Sequence, residues 1–344
     1  MKVINAQGVN DALRKGVKLF SLRAGFREQD SRNGPTLEAI GPVVTVYQRP
    51  WERVLLYPSR DANPFFHLVE AIWMMAGSND LKQLTYFNSG MSKFSDDGET
   101  LNGAYGYRWF QHFDRLGAID RPEYDQVEKV IEVLQKDPES RRAVLQMWDA
   151  RSDLDSSSKD IPCNTNIYFK IRNQKLQMTV CNRSNDMIWG AYGANAVHMS
   201  VLQEYVAKAL NVEMGEYYQF SDSFHVYLTP QWSELMNSNL DPIDYPQQQV
   251  PVVTDASTFI EECKHFIAHR PTFDWGHLNR PYQYTNPIFT EVLYPMVMAY
   301  ACHKDREYAL AHNCVQEIKA ADWQKACDVW IRKRQINYEI RNAK

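Results

Sequence analysis

The sequence predicts an α+β chain, layered as α/β, on two observations: strand-like stretches and amphipathic helical stretches alternate along it, and one pair of strands forms a hairpin. Thr45 to Leu56 is rich in β-branched and aromatic residues and reads as one or two strands, ended by the turn-rich run Tyr57 to Pro64. A helix follows over Phe65 to Ala76, with Phe66, Val69, Ile72 and Trp73 on an apolar stripe and Gly77 as its stop. Glu70 on that helix is either a solvated flank residue or a buried acid with a raised pKa. Asp125 to Gln135 forms a second amphipathic helix, broken at Lys136 to Ser140. Arg141 and Arg142 then lead into the apolar run Ala143 to Trp148, either as solvated charges or as a bidentate phosphate clamp. Ile167 to Arg172 and Leu176 to Cys181 make the hairpin, turning at Asn173-Gln174. Asn195 opens a helix to about Leu210, as a simple cap or as part of a site with free backbone donors beside it. From Ser257 onward the chain reads as helices, with Trp323 and Trp330 on amphipathic stripes and Met296 and Met298 as packing.

At 344 residues, 44% of them hydrophobic and 12% aromatic, the chain has ample material for a packed core, and no internal repeat or low-complexity linker divides it. The formal net charge of -4 gives no general attraction to nucleic acid or an anionic membrane. An anionic ligand must therefore be small and held by a local basic pocket. The six cysteines include no CxxC pair, and the start Met-Lys-Val-Ile-Asn lacks the apolar stretch of a signal peptide, so a reducing cytoplasm is expected. No apolar run approaches a membrane span. His265, His269 and His303 do not follow a recognised ligand spacing, so no metal is expected.

The chemistry centres on Cys163 in Asp160-Ile161-Pro162-Cys163-Asn164, ahead of the first hairpin strand. The polar cluster Asn182-Arg183-Ser184-Asn185-Asp186 ends the second. In an antiparallel hairpin those two ends are neighbours, so Cys163 and Arg183 must lie close. An arginine and a serine there can hold a phosphate and favour thiolate over thiol. The alternative is a buried, inert cysteine.

These residues carry a family resemblance. Asp137-Pro138-Glu139-Ser140-Arg141-Arg142, Pro162-Cys163, Arg183-Ser184 with Asp186, Gly190 and Asn195, and His225-Val226-Tyr227 follow in the order of the thymidylate synthase superfamily. Upstream, Asp30-Ser31-Arg32-Asn33-Gly34 is similar to its phosphate loop, Glu70 with Trp73 to its glutamate helix, and Leu101 to Gly106 to its tyrosine loop. The resemblance covers roughly residues 20–235 as a catalytic core, with 240–344 as a helical C-terminal extension of one domain spanning 1–344. It implies a large mixed β-sheet flanked by helices, with one sheet face packed in a homodimer.

The resemblance also implies roles. Cys163 would attack carbon 6 of a pyrimidine, so that carbon 5 takes a one-carbon unit from methylenetetrahydrofolate. Arg32, Arg183 and Ser184 would grip the phosphate, with Arg141 and Arg142 reaching into the partner subunit's site. His225 and Tyr227 would bond the sugar, Asp186 and Trp73 would lie at the folate, and Glu70 with Tyr105 would manage proton removal from carbon 5. Asn195 would read the base, and an amide suits uracil; Asn185 or a side chain from elsewhere can share that reading.

Where synthases carry a histidine after the nucleophile, this chain has Asn164, and its motifs around Asn182, Asn195 and His225 also depart from theirs. These departures resemble the pyrimidine nucleotide hydroxymethylases, in which water captures the methylene intermediate. The polar end Ile340 to Lys344 would likewise make a poor apolar lid. The expectation is a homodimeric carbon-5 hydroxymethylase, with dUMP favoured and dCMP or CMP open. The alternatives are an ordinary thymidylate synthase and a non-catalytic nucleotide-binding protein on the same fold.

Overall fold

The computed structural model describes residues 1–113, 124–247, 249–269 and 282–343. In chain order the first half holds β1 (Lys2–Ala6), α1 (Val9–Ser21), β2 (Phe26–Gln29), β3 (Thr36–Ala39), β4 (Val43–Tyr47), α2 (Pro64–Met75), α3 (Lys82–Thr85), α4 (Tyr105–Phe110) and α5 (Gln126–Lys136). Then come β5 (Val144–Gln146), α6 (Ala150–Asp153), β6 (Asn164–Arg172), β7 (Lys175–Asp186), α7 (Asn195–Ala209) and β8 (Glu213–Tyr227). The chain closes with α8 (Pro230–Met236), α9 (Ala256–His269), α10 (Tyr294–Lys304), α11 (Tyr308–Gln316) and α12 (Ala321–Asn342). Residues 270–281 of the expected helical region lie outside the described residues.

The strands form one eight-stranded mixed sheet in the order β1-β4-β8-β7-β6-β5, with β3 on the same edge of β8 as β4 and β2 on β3. The β6–β7 hairpin is the one expected. Asn173 and Gln174 take φ of 52° and 59°, the left-handed pair that a two-residue turn needs to match strand twist. Its alternation is two-faced: Ile167, Phe169, Met178 and Val180 are buried under helices, while the other face bears Tyr168, Lys170, Thr179 and Cys181. On that second face Tyr168 is 44% exposed and Val144, its partner on β5, is 40% exposed.

Only the first part of the Thr45 to Leu56 expectation holds. β4 ends at Tyr47, and Pro50 shortly after has no N–H to give a ladder. Val54 to Leu56 are extended and buried, but their backbone groups go to side chains. Asn10 Nδ2 donates to the Val54 carbonyl at 2.8 Å, Asn10 Oδ1 accepts from Leu56 N at 2.8 Å, and the Tyr245 hydroxyl accepts from Val54 N at 3.0 Å.

The stripe expected on α2 is also wider than predicted, because every residue from Pro64 to Met75 is buried. α7, α9, α12 and α4 pack around this helix, so it is a central rod instead of a surface element. Asn63 caps it, accepting from Phe66 N at 3.1 Å, and Gly77 ends it at φ +69°. Each fully buried large apolar side chain on the rod, such as Leu68 or Ile72, contributes roughly 2 kcal/mol of burial. α4 meets the rod at Gly106, where a Cβ would sit 1.9 Å from the Met74 carbonyl oxygen; only glycine permits that approach. Met296 is fully buried packing in α10.

Candidate active site

The C-terminal ends of β7 and β8, which run parallel, bring the expected phosphate and sugar residues together. Register pairs Ser184 with Ser223 and Asp186 with His225. Arg183 N donates to the Cys163 carbonyl at 2.9 Å, which confirms the neighbour relation read from the hairpin. The exposed Arg183 guanidinium folds back on the same loop, its Nε on the Pro162 carbonyl at 3.0 Å and its Nη2 on that of Ile161 at 3.1 Å. Arg32 approaches from the loop before β3 and donates through Nη2 to the Lys159 carbonyl at 3.0 Å. Its neighbour Asn33 donates to the Tyr227 hydroxyl at 3.3 Å, and the His225 and Tyr227 rings meet edge to face at 5.3 Å. Arg32 and Arg183 thus both fold onto the loop that carries Cys163, and Ser184, His225 and Tyr227 lie on the adjoining strand ends.

Cys163 is half-buried and free, neither sealed in the core nor disulfide-bonded. Burial pushes its thiol up from the ordinary value, and Asp160 and Asp186 add to that; Arg183 and Arg32 oppose it without prevailing. Burial therefore works against the thiolate that the nearby arginine and serine were expected to favour. Tyr105, at the start of α4, hydrogen-bonds the Cys163 backbone, and burial keeps its hydroxyl protonated far above the usual phenol range. Next to the nucleophile, Asn164 is completely buried, and neither its amide nitrogen nor its oxygen has a hydrogen-bond partner. A buried unpaired amide is costly to keep, by about 1–3 kcal/mol, and such groups concentrate where a ligand will pair them.

Of the two placements read for it, solvated or buried, Glu70 takes the buried one. It is buried, 6% exposed, on the face of α2 that meets α7. Its Oε2 lies 3.0 Å from His198 Nε2, at ion-pair distance but without the alignment of a hydrogen bond. One turn back on α2, His67 is buried too, and burial together with Arg60 and His198 holds it neutral, well below the usual imidazole range. Trp73, expected at the folate, is 1% exposed with its indole N–H on the Asp80 carbonyl at 3.1 Å. Because the whole of α2 is enclosed, Trp73 packs in the core beneath the cleft and does not form its wall.

Asn195 opens α7, as expected, but does not cap it. The segment Met187–Ala194 is already wound as a π-type turn, kinked at Tyr192 and Gly193, and Asn195 N donates to the Gly190 carbonyl. The Asn195 N–H is consequently not a free donor. The cap is Asp186, whose Oδ1 accepts from Trp189 N at 2.5 Å. Its Oδ2 is buried without a partner, and burial raises the carboxyl despite nearby His225 and Arg60. The Asn195 side chain, 6% exposed, donates through Nδ2 to Asn185 Oδ1 at 3.2 Å, and Asn185 Nδ2 in turn donates to Ser221 Oγ at 3.0 Å. This chain of amides joins Asn195 through Asn185 to Ser221.

Arg141 and Arg142 are not brought to this cleft. Both are exposed just before β5, and the Ala143 carbonyl accepts from Phe169 N, six positions beyond Cys163 and about 20 Å along the strand.

Three residues escaped the sequence reading. Asp160, whose Oδ2 accepts from Gly103 N at 2.7 Å, sits beside the thiol with its carboxyl raised by burial. Arg60 is 1% exposed and donates twice to the Ile188 carbonyl, at 3.0 and 2.7 Å; burial lowers it to about 10. His198 alone left a signal, lying three residues after Asn195 and hence on the same helix face. Among the described residues no cluster of three His, Cys, Asp or Glu side chains could hold a metal, and no helix is long and apolar enough to cross a membrane.

A half-buried cysteine ringed by two arginines at paired strand ends, with a buried glutamate behind it, fits a one-carbon transferase acting on a nucleotide. Residues 22–268 match the thymidylate synthase family, and the chain belongs to it. The chain is 40% identical over 364 aligned residues to a deoxyuridylate hydroxymethyltransferase of Pseudomonas phage M6, covering all of this chain and 97% of that protein. It is 36% identical to the deoxyuridylate hydroxymethyltransferase of Bacillus phage SP01, over 74% of this chain and 66% of the other. A third protein of that name, from Delftia phage PhiW-14, is 29% identical over 65% of this chain and 62% of its own length.

Proposed function

We propose that this chain is a pyrimidine nucleoside monophosphate C5-hydroxymethylase with dUMP as its favoured substrate. The observation that carries the reading is the buried amide pair Asn195–Asn185 beside a cysteine flanked by arginines. With Nδ2 turned to Asn185, the Asn195 oxygen is left to accept from a ring N–H, and the amide's second proton can go to an adjacent carbonyl. Uracil offers that donor and acceptor; cytosine offers the reverse. The names of the phage relatives support the same substrate and the same product.

Arg32, Arg183 and Ser184 hold the phosphate, and a bound dianion adds to the desolvation already felt by the thiol, so its proton must leave to a base as Sγ closes on carbon 6. Tyr105 faces the adduct from the start of α4, and Asn164 from the position next to the nucleophile. Glu70 accepts the proton from carbon 5. Methylenetetrahydrofolate, when bound, supplies the one-carbon unit at the oxidation level of formaldehyde. The unpartnered Asp186 Oδ2 fits an N–H of a pterin, whereas Trp73 is too deep to touch one. Arg141 and Arg142, remote from their own cleft, serve the phosphate of a second copy packed on the sheet face that bears Tyr168 and Val144. The six unpaired cysteines suit work in a reducing cytoplasm.

The test is incubation of the protein with methylenetetrahydrofolate and each of dUMP, dCMP, UMP and CMP, with products weighed by mass spectrometry. A hydroxymethyl product from dUMP, without the near-ultraviolet rise of dihydrofolate, is expected. A methyl product with that rise would make the protein a thymidylate synthase, and no product from any nucleotide would leave it a binding protein.

A further inference from the structure

At the end of the sheet opposite the cleft, the fold forms a cavity of about 370 Å³ bounded by the starts of β7 and β8, by α7 and by the start of α12. β8 enters at Glu213 and reaches the cleft at His225, about 40 Å along the strand, so the two places are separate. The volume lies within the roughly 300–1,000 Å³ of small-molecule sites. Arg53 stands in the cavity wall and is 4% exposed. Its Nη2 donates to Glu204 Oε2 at 2.5 Å, while Nε and Nη1 are buried with no hydrogen-bond partner among the described residues. Leaving charged donors unpaired in the interior is costly. The carboxylates beside them are already committed: Glu204 Oε1 accepts from Val253 N at 3.1 Å, and Asp322 accepts from Trp323 N at 2.8 Å and from the Tyr245 hydroxyl at 2.9 Å.

Charge decides what kind of acceptor suits Arg53. Arg53 and Lys175 are the cations of the wall, against the carboxylates of Glu204, Glu213 and Asp322, and Lys175 Nζ already lies 3.2 Å from Glu213. An anion entering here would meet more negative charge than positive, so the fitting partner is an uncharged oxygen or ring nitrogen. Much of the remaining wall is apolar, with Val252 and Met214 beside the indoles of Trp51 and Trp323. Flat aromatic faces favour a flat ligand. We propose that this cavity is a binding site, distinct from the catalytic cleft, for an uncharged planar heterocycle with carbonyl acceptors, the chemistry of a nucleoside's base, held by Arg53 and stacked on Trp51. α7 joins it to the cleft, since the helix that brings Glu204 to this cavity carries Asn195 at its other end. The site stands apart from the hydroxymethylase reading and does not depend on it.

The test replaces the nine tryptophans with fluorotryptophan and follows them by fluorine NMR, the Trp51 and Trp323 signals being assigned through Trp51→Phe and Trp323→Phe. Uridine, cytidine, adenosine and guanosine are titrated in turn to about 5 mM, with inorganic phosphate as the anionic probe. At least one nucleoside is expected to move the Trp51 and Trp323 signals, while phosphate leaves them in place. Arg53→Lys keeps a charge opposite Glu204 but removes Nε and Nη1, and should weaken that nucleoside by at least about tenfold, the size of one lost hydrogen bond to a charged group. Should this variant fail to fold, Trp51→Ala, a change at an exposed residue, must weaken binding read at Trp323 by at least about fivefold. No movement at either indole, movement that the variants leave at wild-type affinity, or a stronger response to phosphate than to any nucleoside overturns the proposal. A response confined to Trp148, whose ring lies 5.4 Å from the Arg183 guanidinium, would put the nucleoside in the catalytic cleft and overturns it as well.

Discussion

Two buried acid–base contacts are finished in opposite ways. Arg108 on α4 and Asp153 on α6 are both wholly enclosed, joined by two bonds of 2.6 and 2.8 Å. The rest of their capacity is used: Arg108 also donates to the Met147 carbonyl at 2.9 Å and that of Asn102 at 3.2 Å, and Asp153 accepts from Asp149 N at 2.8 Å. Glu70 and His198 touch at one point and leave their other faces unpaired. The first pair is a clamp that holds the loops around α4 and β5; the second leaves buried polar atoms without a partner. Saturation of the hydrogen bonds, more than burial or charge, separates scaffold from chemistry here.

The largest expected effect tests whether the cleft is chemical at all. Cys163→Ser should lower turnover by more than about 10⁴-fold with dUMP binding retained, as measured by product formation and by calorimetric titration. Intact turnover would sink the covalent mechanism. Next, Asp153→Asn leaves Arg108 buried and half-paired, and should lower the unfolding free energy by about 3–5 kcal/mol in urea denaturation. His198→Gln should cost less than about 1 kcal/mol in the same assay, and a cost as large as that of Asp153→Asn would erase the contrast between the pairs. Asn195→Asp should move the kcat/KM preference from uracil toward cytosine nucleotides by at least about 100-fold, and unchanged selectivity would hand base reading to Asn185. Smallest is a pH shift. Since burial raises the Cys163 thiol and only its thiolate attacks, kcat/KM must climb with pH through the neutral range, about tenfold per unit where the thiol dominates. Arg183→Ala removes the charge that opposes this, and should carry the rising limb further toward alkaline pH.

The clamp and the cleft also differ in how far they could be read beforehand. The hairpin was legible because its periodicity and its turn are local, and once it was drawn the Cys163–Arg183 contact followed from strand geometry. Neither Asp160 nor Arg60 was legible. Asp160 becomes a site residue through Gly103, 57 positions earlier, and Arg60 through Ile188, 128 positions later. Val54 to Leu56 misled for a related reason: their β-like composition reflects burial, while their backbone partners are the Asn10 and Tyr245 side chains, which no local pattern announces. α2 misled in the other direction, since a stripe seen in sequence gives no warning that the opposite side is covered as well. The Glu70–His198 contact depends on that enclosure and was out of reach until α7 was laid against α2.

The seam between α4 and α2 has a consequence for how this site can vary. At Gly106 the two helices touch backbone to backbone, so even one methyl group would wedge them apart. α4 carries the phenol that hydrogen-bonds the Cys163 backbone, and α2 carries the buried Glu70. A wedge there would widen the gap between these two halves of the machinery with every reacting group still present, turning a fault of spacing into one that resembles a missing residue.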